Sequence, residues 1–411
     1  MKGGNNSKIY YLAIIICMKI VHLIIRNEYT DGWAYQENLI PEAHKRLGHE
    51  VVVIATTVNS LTGKPREVTP NNIYEINGVK VIRLAPRIVL FSKRLDIYNS
   101  IEKALEYEKP EIIFIHGINF LSLGEVRRYK KKYPECVVVG DTHSDYGNSL
   151  KRLPFINKYL IQRVLWRSLI KKNLSMFDII YYVAIQTKVF AMENYSLPET
   201  IMKYLPMGGD VTNYQLNNRK NIRAKFREKI GVSENTLVFI TGGRFRESKK
   251  LYELITAFQM IKFKDIKLVI FGKFEDSKYK NNVMNLIKND NRIKFIGWLN
   301  PLETTEAFLS SDMALFSGTQ SVIWRNAVAC GLPVVCRYTF GSEEIDVGGN
   351  AIHIYSDDPF AWKQIISHIV ETPELLNRMK KNSLEKGIVF FNNDRIAQIV
   401  IDDAKEVIKS K

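Results

Sequence analysis

The sequence predicts an α/β chain of two doubly wound halves facing across a cleft, and three observations carry that prediction. From Met18 onward, β-branched apolar runs alternate with helical patterns, the order expected of parallel strands joined by crossover helices. The runs, such as KIVHLII (19–25) and EIIFIH (111–116), are continuously apolar, as in strands covered on both faces. The whole pattern then restarts after LPMGGDVTNYQLNN (205–218), a segment rich in Gly, Asn and Pro that reads as a hinge.

Taken in order, the first strand is followed by a helix in ENLIPEAHKRLGHE (37–50) and a strand in VVVIATT (51–57). VKVIRLA (79–85), a helix near IYNSIEKALEYE (97–108), EIIFIHG (111–117), a helix near GEVRRYKKKYP (124–134) and CVVVGDTH (136–143) complete that set. The second set opens with TLVFITGG (236–243), the helix KKLYELITAFQMI (249–261), KLVIFGK (267–273), the helix YKNNVMNLIKND (279–290) and IKFIGW (293–298). It continues with the helix PLETTEAFLSSD (301–312), ALFSG (314–318), a helix through 322–330, PVVC (333–336) and AIHIYS (351–356). Ligands of such folds lie in crevices beyond the C-terminal strand ends. The expected boundaries are a leader or disordered start-site extension at 1–17, a first domain at 18–207, a hinge at 208–218, a second domain at 219–385 and a terminal helix at 386–411.

The composition is that of a globular chain, 46% apolar and 25% charged over 411 residues, long enough for two domains. A net charge of +16 favours anionic partners: nucleic acid, a phosphorylated metabolite or a membrane surface. Cys17, Cys136, Cys330 and Cys336 form no C-x-x-C pair, and no His/Cys cluster has zinc-ligand spacing. The reading is a reduced, intracellular protein without a metal centre. The apolar run at 9–17 is too short to span a bilayer and lacks a small-residue cleavage site. KRLPFINKYLIQRVLWRSLIKKNL (151–174) mixes Lys and Arg with Leu, Ile and Trp, a pattern that suits a scaffold helix with one basic face or a membrane-surface helix.

Five stretches hold candidate chemistry. TGGRFRESKK (241–250) lies where a strand gives way to a helix. Gly242 and Gly243 admit close approach of a ligand to the backbone, and Arg244 and Lys249 add two cations suited to a diphosphate. It is neither a P-loop nor a dinucleotide fingerprint. His116 directly follows a buried strand, and Asp141, His143 and Asp145 follow the next. Gly32 permits a tight turn after the first strand, with Tyr35, Gln36 and Asn38 placed to line an acceptor cleft. The stretch at 313–337 sets Trp324, Arg325 and Asn326 in an otherwise apolar strand–helix–strand unit.

Together these positions resemble family 4 of the retaining glycosyltransferases, of the GT-B fold. MKIVHLI with its glycine-containing loop, PEIIFIHG, LPMGGD, GGRFRESKKLYELITAF, IKFIGWLNPLETTEAFLSSDMALFSG and NAVACGLPVV match that family in order and spacing. The resemblance implies metal-independent transfer of a sugar, with retention, from a UDP- or GDP-linked donor to a glycan or lipid-linked acceptor. No cofactor and no nucleic acid are implied. The expected location is the cytoplasm, with the helix at 151–174 either a scaffold element or a peripheral contact at the inner membrane face. Arg244 and Lys249 match the pair that neutralises the leaving diphosphate, and His116 matches the histidine at the transferring sugar. Gly32 and Gly243 would lie against the phosphates, and Trp298 and Leu299 against the base. The family's two glutamates, eight positions apart, are replaced by Gly318 and Asn326, which implies altered donor contacts. Thr319, Gln320 and Arg325 are the nearby polar groups available to substitute, and His143 stands on the acceptor side. A non-catalytic nucleotide-sugar-binding subunit and a sugar-nucleotide epimerase are the competing readings.

Overall fold

A computed structural model describes residues 17–27, 29–33, 35–59, 67–68, 72–89, 95–149 and 159–411. The expected leader, apart from Cys17, and the start of the basic helix at 151–158 lie outside these residues.

The first sheet contains β1 (Lys19–Ile24), β2 (Glu50–Thr56), β5 (Asn72–Ile76), β6 (Val79–Leu84), β7 (Ile112–Ile115), β8 (Val137–Thr142), β9 (Ile179–Tyr182) and β10 (Met202–Tyr204). A two-residue ribbon, β3 (Val58–Asn59) with β4 (Glu67–Val68), stands apart. The strand order is β10-β9-β8-β7-β1-β2-β6-β5, parallel except for β5. The chain runs outward from β1 to β2 and β6, then returns to the other side of β1 at β7. The topological switch point therefore lies between β1 and β7. The hairpin strand β5 was not among the expected elements. Its signal is the dipeptide Asn77-Gly78, whose φ values of 51° and 74° make the doubly left-handed turn that hairpins favour.

The second sheet is all parallel, in the order β13-β12-β11-β14-β15-β16. Its strands are β11 (Leu237–Phe245), β12 (Ile266–Phe274), β13 (Ile293–Phe295), β14 (Met313–Phe316), β15 (Val334–Arg337) and β16 (Ala351–Ile354). Here the switch point falls between β11 and β14, where Gly243 and Arg244 end one strand and Ser317 follows the other.

The join is tighter than a loose hinge. Gly209 N–H donates to the Phe391 carbonyl (2.9 Å), Asn393 Nδ2 to the Gly209 carbonyl (2.7 Å) and Thr305 Oγ1 to the Asp210 carbonyl (2.7 Å). A Cβ on Gly209 would stand 2.2 Å from that of Ala329, so only glycine lets the chain pass this close to the helix Ile323–Ala329. From Asn213 the segment is helical, capped by Thr212, whose hydroxyl accepts from Gln215 N–H. The helix Asn393–Ser410 packs on the first sheet, burying Ile396, Val400, Ile401 and Ala404 against Met18, Ile20, Ile40 and Phe114.

In the described part of the basic segment, residues 159–173 are helical. Gln162, Trp166, Ile170 and Asn173 face inward, while Leu160, Arg163, Val164, Arg167 and Lys171 face outward. No helix among the described residues is long and apolar enough to cross a membrane.

Candidate active site

Side chains alternate across a strand, so β1, β7 and β8 each send every second residue to one face. On the face covered by the helices Gln36–Arg46 and Asn393–Ser410, the rows read Ile20-His22, Ile112-Phe114-His116 and Val137-Val139-Asp141. The β7 and β8 rows are apolar until their C-terminal ends, where a polar group takes the next place, whereas in β1 His22 is followed by buried Ile24. Phe114 and His116 stack at 4.3 Å.

His116, expected at the sugar, is fully buried. One ring nitrogen lies 2.9 Å from His22 Nδ1 and the other 3.3 Å from Asp141 Oδ2, so it stands behind the cleft wall. The histidine on the wall itself is His143, whose side chain is 27% exposed. Its Nε2 lies 3.3 Å from Asp141 Oδ1, and it feels the charges of Glu37 and Arg325. Burial alone would lower its pKa, but the Asp141 carboxylate outweighs that and raises it to about 9. Burial would likewise raise Asp141, yet the flanking histidines, His143 foremost, hold it well below the usual carboxylate range.

The loop after β1 supplies Gly32, at φ 74°, and the exposed rings of Trp33 and Tyr35, 5.1 Å apart. Tyr35 lies within the field of Arg244, so this loop faces the end of β11. Gln36 opens the following helix with its amide buried and both polar atoms without partners, a donor and an acceptor available to a ligand.

On the second sheet, Gly243 has φ 126° with open space where a side chain would stand, which bares its backbone to the cleft. Arg244 is exposed. Lys249 is partly buried, its Nζ donating to the carbonyls of Thr319 (2.5 Å) and Gln320 (3.4 Å). Burial, then the nearby Arg246 charge, lowers its pKa to about 8. Among the described residues no carboxylate pairs with Arg244 or Lys249.

Gly318 is explained by space. A Cβ there would stand 2.3 Å from Lys249 Cα and 2.4 Å from the Ser248 carbonyl oxygen. Ser317 Oγ donates to the carbonyls of Lys249 and Lys250, and Thr319 N–H to Ser248. The two switch-point loops are thus interlocked, and no glutamate fits at 318.

The other expected donor contacts have protein partners. Arg325, buried, pairs with Glu344, which also accepts from Gln320 Nε2 (3.2 Å) and from Tyr204 of the first sheet (2.8 Å). Asn326 Oδ1 accepts from Asp210 N–H (3.3 Å), tying the helix to the join. Asn326 and Arg325 are therefore held by the protein. A carboxylate does stand near this wall, but it comes from 344, on the short turn Ser342–Ile345.

Two cavities lie between the halves. One of about 760 Å³ is bounded by Gly32, Trp33 and Glu42 on one side and by Leu299, Leu302 and Glu303 on the other. Trp298 is exposed beside it, following Gly297 at φ 82°. The second, about 350 Å³, lies between Asp145, Tyr146 and Gln186 and the facing Thr319, Gln320 and Phe340. Among the described residues no group of three or more His, Cys, Asp or Glu is arranged to hold a metal.

Residues 222–386 match the family model described as glycosyl transferases group 1. That segment, most of the second half, is similar to the group 1 glycosyltransferase model. An uncharacterized glycosyltransferase of Methanocaldococcus jannaschii is 23% identical over 382 residues, covering 88% of this chain and 91% of its own. Among solved structures, Anabaena HepE in complex with UDP and glucose superposes with a TM-score of 0.63, 14% identity, and coverage of 95% of this chain and 100% of that one. A UDP-GlcNAc 2-epimerase of Neisseria meningitidis, bound to UDP-GlcNAc, reaches 0.59 at 13% identity, covering 95% and 100%. At these identities the structures establish the GT-B fold alone.

Proposed function

We propose that this protein transfers a sugar from a nucleotide-sugar donor, with retention and without a metal, to a glycan or lipid-linked acceptor. The observation that carries the reading is the pair of cations at the second switch point. Arg244 and Lys249 have only carbonyls or solvent as partners among the described residues, beside the bared backbone of Gly243. As the bond from the sugar to the diphosphate breaks, negative charge grows on the departing oxygen. Fixed, partly desolvated cations stabilise that charge most where it develops. His143, on the opposite wall, is the group we assign to the transferring sugar in place of His116. Leu299 lines the cavity we assign to the nucleoside, and the exposed Trp298 precedes it.

One observation favours a non-catalytic nucleotide-sugar-binding subunit: neither Gly318 nor Asn326 presents a carboxylate. The epimerase reading has the fold but lacks an evident set of carboxylate acid/base groups in the cleft. Release or transfer of sugar from UDP-, GDP- and dTDP-linked donors, with the product anomer followed by proton NMR, separates the three. Transfer with retained configuration supports our reading, binding without turnover the subunit, and a changed donor sugar the epimerase.

The outward face at Leu160, Arg163, Val164, Arg167 and Lys171 combines apolar and cationic groups, which suits an anionic lipid surface. Flotation with vesicles that contain phosphatidylglycerol, but not with neutral vesicles, is the expected result. Equal recovery in both would restrict this helix to a scaffold role.

A further inference from the structure

A sealed row of polar groups runs behind His143. The Ala397 carbonyl lies 3.0 Å from His44 Nε2, and His44 Nδ1 lies 3.0 Å from His22 Nε2. His22 Nδ1 lies 2.9 Å from His116 Nε2, and His116 Nδ1 lies 3.3 Å from Asp141 Oδ2. All three rings and the carboxylate are 0% exposed.

Both ends of this row are acceptors only, a carbonyl and a carboxylate. Each of the four contacts needs a proton, whereas three neutral imidazoles carry one N–H apiece. The row is one proton short. If every N–H points toward Ala397, as the carbonyl requires, His116 turns a bare nitrogen to Asp141. His116 Nδ1 and Asp141 Oδ2 are indeed among the buried atoms with no aligned hydrogen bond. Two buried lone pairs at that separation repel, and one added proton satisfies both.

We propose that one excess proton resides between His116 and Asp141, and that through Asp141 this buried row sets the charge and orientation of His143. Its relevance to catalysis rests on the glycosyltransferase reading above. The proton belongs at this end because Asp141 is the anion of the row. Burial, then the charges of the neighbouring rings, lowers the pKa of His22, and burial lowers that of His44 to about 3, so neither ring is the cation.

Gly117 N–H donates to Asp141 Oδ1 (2.7 Å), and the ring of His49, itself in the field of Lys405, meets His44 edge-on at 6.2 Å. Arg46 pairs with Asp394 at the surface, while Glu37 and Arg325 act on His143. His22, His44, His116 and Asp141 are positioning residues, and His143 is the group in the cleft.

Cutting the row removes the need for the extra proton. In His22→Phe or His44→Phe each remaining contact is satisfied by neutral rings, so Asp141 no longer shares its charge with a second cation. The titration midpoint of His143 then rises, by about one unit. In Asp141→Asn it falls. Histidine ¹⁵N NMR of the full chain reads this directly, since it distinguishes singly from doubly protonated rings. The expected wild-type spectrum at neutral pH shows His116 doubly protonated, whereas in both Phe variants it carries one proton, on Nδ1 toward Asp141. An unchanged or lowered His143 midpoint in the Phe variants overturns the proposal, and His44→Phe alone decides it if His22→Phe does not fold. The alkaline limb of the pH–rate profile should move with the NMR midpoint, whereas a merely structural loss lowers turnover at every pH. Absence of transfer from any donor refutes the glycosyltransferase reading and leaves the NMR test standing. Transfer without the NMR shifts refutes the proton row.

Discussion

Two neighbouring regions of the second half treat their polar groups in opposite ways. The helix Ile323–Ala329 has Arg325 paired with Glu344 and Asn326 bonded to Asp210. The turn at 244–249 leaves Arg244 exposed and gives Lys249 only carbonyls. A cation paired with a carboxylate adds rigidity, while a cation lacking one is open to an anion. We propose that the helix braces the cleft and that the turn binds the anion in it.

That contrast breaks most visibly at the brace. Glu344→Ala strands a buried guanidinium, and losing one partner of such a pair costs about 3–5 kcal/mol. Thermal unfolding should show it, and an unchanged Tm would mean that Arg325 has another partner. At the turn, Arg244→Ala and Lys249→Ala should each lower turnover at least ~100-fold, the scale of losing one transition-state charge contact, with Tm nearly unchanged. Gly318→Ala joins the two regions. Its methyl meets the Lys249 backbone, so overpacking of about 1–3 kcal/mol should appear together with displaced Lys249 and reduced turnover. Asn326→Ala should cost about 1 kcal/mol through its lost bond to the join.

The first half adds a pH dependence of known sign. His44, lowered to about 3 when folded, takes up a proton near pH 6.5 once unfolded. Its contribution to stability is present above about pH 6.5 and is lost as pH falls toward the folded value. In His44→Phe the acid decline of Tm should be shallower, and an identical slope would show that His44 is already charged in the fold.

The two doubly wound sets were legible in the sequence, because continuous apolar runs separated by helical patterns leave little topological freedom. Gly243, Arg244 and Lys249 were legible for the same reason, since they sit directly at a strand end. The contacts that spacing leaves unseen share a cause. Strand position shows that His116 ends β7 but not that the β1 row delivers His22 beside it. Nor does spacing show that residue 344 returns to Arg325 across 19 positions. His22 itself left a signal, one imidazole inside KIVHLII, which on a doubly covered strand demands a buried partner. Gly318 was visible as a departure, but its reason is the backbone of Ser248 and Lys249, which contact alone reveals.

The central claim is that the turn, not the helix, holds the donor's diphosphate. Calorimetric binding of UDP, GDP and dTDP to the wild type, Lys249→Ala, Arg244→Ala and Asn326→Ala tests it most directly. The account predicts that the preferred nucleotide loses at least about tenfold in affinity in both turn variants, the scale of one charge-assisted contact, and less than about threefold in Asn326→Ala. Equal weakening by Asn326→Ala and Lys249→Ala would contradict it.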